Sequence, residues 1–248
     1  MGTMLGPSFT RCFAPSFGVS RDTAKLFGLI AETTIGGFYL KDRGKPFFFP
    51  VTDQDFGDFT AGFANVTLYT AFLKMKNPHL RLSQLLDMRR KLGGDESGSL
   101  FKVPDLVTDN GAIRQFYEIK PNSATGLRDG DEKLANLSAF CDFFKVSYKP
   151  GTAWSPDKRL LLYDGVIEAV ELRVKVFFHF FRVQPGLIVY ELCIEAGIAI
   201  EDIVAKIIVG VVVLAIIFGP EILAGVAAAG ETIGPLIPAG GLIPVLAR

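Results

Sequence analysis

The chain has 248 residues, of which 49% are hydrophobic and 21% charged. That balance supports a buried core and excludes globally disordered, collagen-like, coiled-coil and acidic-tail classes. Lys plus Arg (26) equals Asp plus Glu (26), so no global basic field draws the protein to nucleic acid, and any such site is a local patch. The two histidines, His79 and His179, are far apart in sequence, which argues against zinc clusters, His-based metallonucleases and most Ser-His-Asp hydrolases. Three cysteines (Cys12, Cys141, Cys193) form no CxxC pair, so neither a disulfide framework nor structural zinc is expected, and a reducing compartment fits best.

Residues 1–20 read as an irregular lead-in. They lack the basic stretch and unbroken apolar run of a secretory signal, so any export is expected to use a route without a cleaved leader. The triplets at Asn65 and Asn136 are then chance matches to a glycosylation acceptor. Residues 21–32 predict a short amphipathic helix with Leu26, Leu29 and Ile30 on one face. Residues 37–53 predict two extended stretches, FYLK and PFFFPV, broken at Lys45-Pro46, and residues 59–76 predict a longer helix. Residues 82–92 predict a third helix with Leu82, Leu85, Leu86 and Met88 inward. Its last turn carries Arg89, Arg90 and Lys91, where cations complement the helix dipole.

A loop over 93–98 leads to extended residues 100–108, the turn signal Asp109-Asn110-Gly111, and extended residues 112–120. Asn-Gly between extended runs is a strong hairpin signal, because both turn positions tolerate positive φ. Ser123 is placed to cap a helix over 130–144. Short strands are expected at 146–148 and 159–163. Residues 170–180 alternate, with Val170, Leu172, Val174, Val176 and Phe178 on one face. A turn at Gln184-Pro185-Gly186 returns the chain as a strand over 187–194. The fold class is α+β.

The hairpin carries the one constellation with chemical content. A two-residue Asn110-Gly111 loop pairs Asp109 with Ala112 and sets Asp105 opposite Phe116. Glu118 and Lys120 share the face of Phe116, since side chains alternate with period two. Asp105 and Glu118 are then diagonal neighbours, roughly 7–8 Å apart at the backbone. Two carboxylates so placed suit Mg²⁺, which prefers oxygen ligands and keeps several waters. A lysine on the same face orients water and offsets developing phosphate charge. The competing reading is a solvated strand whose Glu and Lys form a surface pair. Signatures such as GxSxG, a P-loop, GxGxxG and HExxH are absent from the sequence. Cys141 and His179 read as packed core residues.

The order helix (82–92), strand with Pro104-Asp105, strand with Glu118-Ile-Lys120, helix (130–144), strand resembles the core of the PD-(D/E)xK, or restriction-endonuclease-like, nuclease superfamily. The stretch YEIKPNS with Gly126 and Gly130 is similar to nuclease domains of bacterial polymorphic toxins and secretion-system effectors. The likeness covers about 80–150. It implies a restriction-endonuclease-like core of helix, antiparallel hairpin, helix and strand, with an extra β-hairpin and an apolar C-terminal helical tail. It also implies Asp105, Glu118 and the Ile119 carbonyl as ligands of Mg²⁺ or Mn²⁺, with Lys120 as catalytic lysine. Asp87, Lys133 and Arg114 are accessory candidates. The implied substrate is nucleic acid, DNA before RNA, with an immunity protein as partner and synthesis in a bacterial cytoplasm. The superfamily also contains inactive scaffolds.

Only Lys206, Glu221, Glu231 and Arg248 carry charge within 203–248. The expected organisation is therefore a soluble nuclease-like domain over 1–202, with its core at about 80–165, and a hydrophobic tail over 203–248. Residues 207–230 together are long enough to cross a bilayer, interrupted by Gly219-Pro220-Glu221. A central glutamate costs about 2–3 kcal/mol and each aliphatic residue returns about 0.3–0.6, so insertion is feasible without being compelled. The alternatives are a buried helix or a segment held by a chaperone or carrier. Two functions follow: a metal-dependent nuclease delivered as a toxin, or a non-enzymatic scaffold or membrane-inserting assembly component.

Overall fold

The computed structural model describes residues 8–17, 19–44, 47–48, 50, 58–92, 101–167 and 171–218. The protein is α+β, with five helices and eight strands among the described residues. In chain order these are β1 (Phe9–Phe13), α1 (Arg21–Arg43), β2 (Phe47–Phe48), α2 (Asp58–Lys76), α3 (Leu82–Leu92), β3 (Leu106–Asp109) and β4 (Arg114–Pro121). They continue as α4 (Ala124–Phe144), β5 (Lys149–Pro150), β6 (Lys158–Ile167), β7 (Leu172–Gln184), β8 (Leu187–Ala196) and α5 (Asp202–Phe218). The chain divides into two compact units, residues 1–34, 157–180 and 190–248 forming one, and residues 35–156 and 181–189 the other.

The second unit, 35–156 with 181–189, holds the sheet order β2-β3-β4-β8, with β5 parallel to β4. A parallel neighbour needs a crossover, and α4 supplies it. The apolar core gathers Tyr69, Leu73, Met88, Val107, Phe116, Leu137, Phe140, Leu187 and Val189, all at most 1% exposed apart from none. Helix α4 begins at Ser123, whose hydroxyl accepts from the Gly126 amide at 3.0 Å. Such a cap is worth about 1 kcal/mol. It starts six residues earlier than the expected 130–144, because Gly126 and Gly130 lie inside it as close-approach positions.

The first unit pairs β6, β7 and β8 in an antiparallel meander, with β1 added to the other edge of β8. Val174, Val176, Phe178 and Phe180 of β7 are buried, as the alternation predicts from 174 onward. Phe178 meets Phe27 and Tyr190 edge-on, with ring centroids 5.4 and 5.8 Å apart. Helix α5 buries Ala205, Ile208, Val209 and Val212 at 0–1% exposure while Ile203 stays 72% exposed. This is a one-sided apolar helix rather than one apolar all round.

Several local expectations are corrected. β1 lies in the supposed irregular lead-in. FYLK is not a strand but the end of α1, whose buried stripe Phe27, Ala31, Ile35, Tyr39 repeats every four residues. Gly44, at φ +67°, stops that helix in the left-handed conformation, its amide bonded to Leu40 O at 2.9 Å. On α3, Leu82 and Leu86 are exposed and the inward residues are Met88 and Leu92. Cys12 and Cys193 form a disulfide, against the expectation of none. Directly opposed positions on β1 and β8 bring them together from 181 residues apart, which no local spacing reveals. Among the described residues, no helix is long and apolar enough to cross a membrane. The loop at 93–98, Val170 and the Gly219-Pro220 break lie outside the described residues.

Candidate functional site

The hairpin β3–β4 sits in the second unit. Its register pairs Asp109 with Arg114, Val107 with Phe116 and Leu106 with Tyr117. The loop is therefore four residues, 110–113, rather than Asn110-Gly111 alone. Side chains explain the wider turn: Asp109 Oδ1 accepts from the Gly111 amide at 3.0 Å, and Asn110 Oδ1 accepts from the Ile113 amide at 2.8 Å. Such bonds let Asp and Asn close a turn without the two-residue geometry. The change moves the register by two residues, so face parity is kept. Continued one step, the pairing sets Asp105 across from Glu118 itself, not from Phe116.

Four side chains converge there. Asp105, just before β3, accepts from the Ile119 amide at 2.8 Å through Oδ2 and from Lys133 Nζ at 2.7 Å through Oδ1. Glu118 Oε2 lies 2.7 Å from Lys133 Nζ and 3.3 Å from Lys120 Nζ. Lys120 Nζ lies 3.3 Å from Asp105 Oδ2 and donates to Ile119 O at 3.1 Å. Side-chain exposure is 0% for Glu118, 13% for Asp105, 14% for Lys133 and 21% for Lys120. The two carboxylates are thus matched by two ammonium groups, and the cluster opens to solvent chiefly at Lys120.

Glycine makes the approach of Lys133 feasible. A Cβ at Gly130 would stand 2.6 Å from Leu187 Cδ1 and 3.3 Å from Lys120 Cγ. Without one, α4 lies close to β4 and β8, and Lys133, one turn further, reaches both carboxylates.

Burial and charge split the two acids. Burial alone would raise Asp105, but Lys120, Lys133 and the Ile119 amide outweigh it and hold its carboxyl well below the usual carboxylate range. Burial, with Asp105 beside it, pushes Glu118 up to about 7 despite the two lysines. Burial would lower Lys133, yet the two carboxylates raise it, so it stays charged. Asp105 holds its charge firmly, while Glu118 is the group that exchanges a proton near neutrality.

The donor set suits a hard divalent cation. Oxygens of Asp105, Glu118 and Ile119 all lie within 3.3 Å of Lys120 Nζ, so the fold already surrounds a positive charge with them. Glu118 Oε1 is buried without a hydrogen-bond partner among the described residues. An orphaned carboxylate oxygen in such a place has capacity for a further ligand. Magnesium holds oxygens at about 2.0–2.1 Å, closer than an ammonium does, so these oxygens would have to draw inward around it.

The accessory candidates separate. Lys133 belongs to the cluster. Arg114 does not: it pairs with Asp109 at 2.9 Å, donates to Lys76 O and covers the Tyr148 ring at the loop end of the hairpin. Asp87, on α3, is not among the cluster's described partners. Cys141 is buried and its thiol is pushed up to about 12 by burial, which suits a core residue.

Sequence reasoning missed the opposite face of β4. There a cavity of about 250 Å³ is lined by Tyr39, Asp42, Arg43, Tyr117 and Trp154, among others. Trp154 Nε1 donates to Asp42, and Tyr117 stacks edge-on against the Trp154 ring. These residues come from α1, β4 and the segment after β5, and no local pattern joins them. Comparison with protein-family models, with curated proteins and with solved structures gives no match for this chain, so its site is read on its own chemistry.

Proposed function

We propose that the chain is a metal-dependent nuclease of the PD-(D/E)xK kind, hydrolysing phosphodiester bonds in DNA. The observation that carries this reading is the convergence of Asp105, Glu118 and the Ile119 carbonyl around a single positive charge. The chain order supports it: β3 after Pro104-Asp105, β4 with Glu118-Ile-Lys120, then α4 leading to β5 parallel to β4. Asp105, Glu118 and Ile119 O would hold Mg²⁺ or Mn²⁺, which when bound supplies Lewis-acid polarisation of a phosphoryl oxygen. Lys120, the most exposed member, offsets charge that builds on the phosphate and orients the attacking water. Lys133 balances the two carboxylates and holds them at one point. A role as a toxin restrained by an immunity protein belongs to the same proposal.

The test uses purified full-length protein and plasmid DNA. Cleavage is expected with Mg²⁺ or Mn²⁺ and is expected to stop with chelator. Glu118→Ala and Lys120→Ala are each expected to remove it while the far-ultraviolet circular dichroism spectrum stays folded. Robust cleavage by the double variant overturns the assignment. One observation favours the scaffold reading instead: two lysines already neutralise both acids, and Glu118 is fully enclosed. On that reading, wild-type protein is folded and inactive with every divalent ion tried.

A further inference from the structure

A second cluster of ligand-type side chains lies in the first unit, independent of the nuclease reading. β1 runs antiparallel to β8 with Cys12 directly opposite Cys193, to which it is disulfide-bonded. Glu191 precedes Cys193 by two residues, so both side chains leave one face of β8. Glu191 Oε1 lies 3.9 Å from Cys193 Sγ. The two sulfurs and a Glu191 carboxylate oxygen all lie within 4.8 Å of one another. In a tetrahedral zinc site with bonds of about 2.0–2.3 Å, ligand atoms stand about 3.3–3.8 Å apart. Side-chain rotation alone therefore converts one arrangement into the other.

Two further features fit a site. His179 Nδ1 lies 3.2 Å from Glu191 Oε1 and its Nε2 lies 3.6 Å from Asp157, so the imidazole bridges two carboxylates and orients the one facing the sulfurs. Outer partners of this kind tune metal ligands. Cys12 is exposed while Cys193 is buried, so a thiol reaches the pair from one side only.

We propose that, once reduced, Cys12, Cys193 and Glu191 form a zinc site, and that the disulfide and the metal are alternative occupants of the same place. Two equivalents of a low-molecular-weight thiol supply the two electrons. The first attacks the Cys12 sulfur, breaks the bond to Cys193 and leaves a mixed disulfide on Cys12. The second displaces it, so the reductant departs as its own disulfide and the protein holds two thiols. Metal binding then releases both thiol protons as thiolates coordinate. Zinc changes no oxidation state. Two sulfurs and one oxygen select a softer ion than the all-oxygen cluster at Asp105 and Glu118. The fourth position is left to water on the exposed side of Cys12.

The full-length protein, reduced with a phosphine and kept under inert gas, is titrated with Co²⁺ and then with competing Zn²⁺. A thiolate-to-Co²⁺ charge-transfer band saturating at one equivalent is expected, bleached by Zn²⁺ and absent from the oxidised protein. The band is expected to survive Cys141→Ser, to be lost in Cys12→Ser, and to need at least tenfold more metal in Glu191→Gln. His179→Gln is expected to weaken binding about 10–100-fold. No band in reduced wild type, an equal band in oxidised protein, or a band that survives Cys12→Ser overturns the proposal. Should Cys12→Ser not fold, Glu191→Gln decides, since it leaves the cysteine pair intact: unchanged Co²⁺ affinity there also overturns it.

Discussion

Two antiparallel strand pairs gather the reactive side chains of this chain, and they manage charge in opposite ways. At β3–β4, two carboxylates and two lysines share a nearly closed place, so each charge depends on the others. At β1–β8, two sulfurs are joined covalently and one of them faces solvent. The first cluster answers to protons and cations, the second to reductant. The contrast follows from burial: inside, a charge must be matched on the spot, whereas at an exposed edge water does part of that work.

The largest effect on this contrast is expected from Lys133→Ala. It leaves Asp105 and Glu118 facing each other with only Lys120 between them. Removing one partner of a buried charge network costs about 3–5 kcal/mol, to be read as a lowered urea midpoint at pH 8. If the same point accepts a divalent ion, Mg²⁺ or Mn²⁺ restores part of that loss and stabilises the variant more than it stabilises wild type. An unchanged midpoint would mean that Lys133 is merely near the acids.

Reduction of the first unit's disulfide comes next. Cross-linking ends 181 residues apart removes much freedom from the unfolded chain, and loss of such a link costs about 2–5 kcal/mol. The melting temperature of the oxidised protein is expected to fall on adding reductant, and that of Cys12→Ala to be insensitive to it. Zinc added to the reduced wild type is expected to return part of the loss.

The smallest effect is a slope. Glu118 is raised in the folded protein from the ordinary glutamate range to about 7, so between about pH 4.5 and 7 the native state binds more protons than the unfolded one. Stability therefore falls as pH rises through that window. Asp105 acts oppositely, since its lowered carboxyl stabilises the fold above its unfolded value and loses that contribution as pH drops further. Glu118→Gln is expected to flatten the decline between pH 5 and 7.5 in denaturant titrations while leaving the acid limb in place. A decline that persists unchanged would assign it to other groups.

What could be read without coordinates was local. Asp109-Asn110-Gly111 and the flanking extended runs mark a hairpin, Ser123 marks a helix start, and period-two spacing puts Glu118 and Lys120 on one face, because each depends on neighbours a few residues away. The parity survived a wrong loop length only because the true loop is longer by an even number of residues. Three things required the tertiary structure. Lys133 joins the acids because α4 packs down at Gly130, which sequence shows only as a glycine. FYLK is helical because Tyr39 continues the stripe of Phe27, Ala31 and Ile35, and burial of that face outweighs the strand preference of its aromatics. Cys12 meets Cys193 because two strands far apart in the chain share one register, and pairing over such a separation is decided by the sheet as a whole rather than by any residue in it.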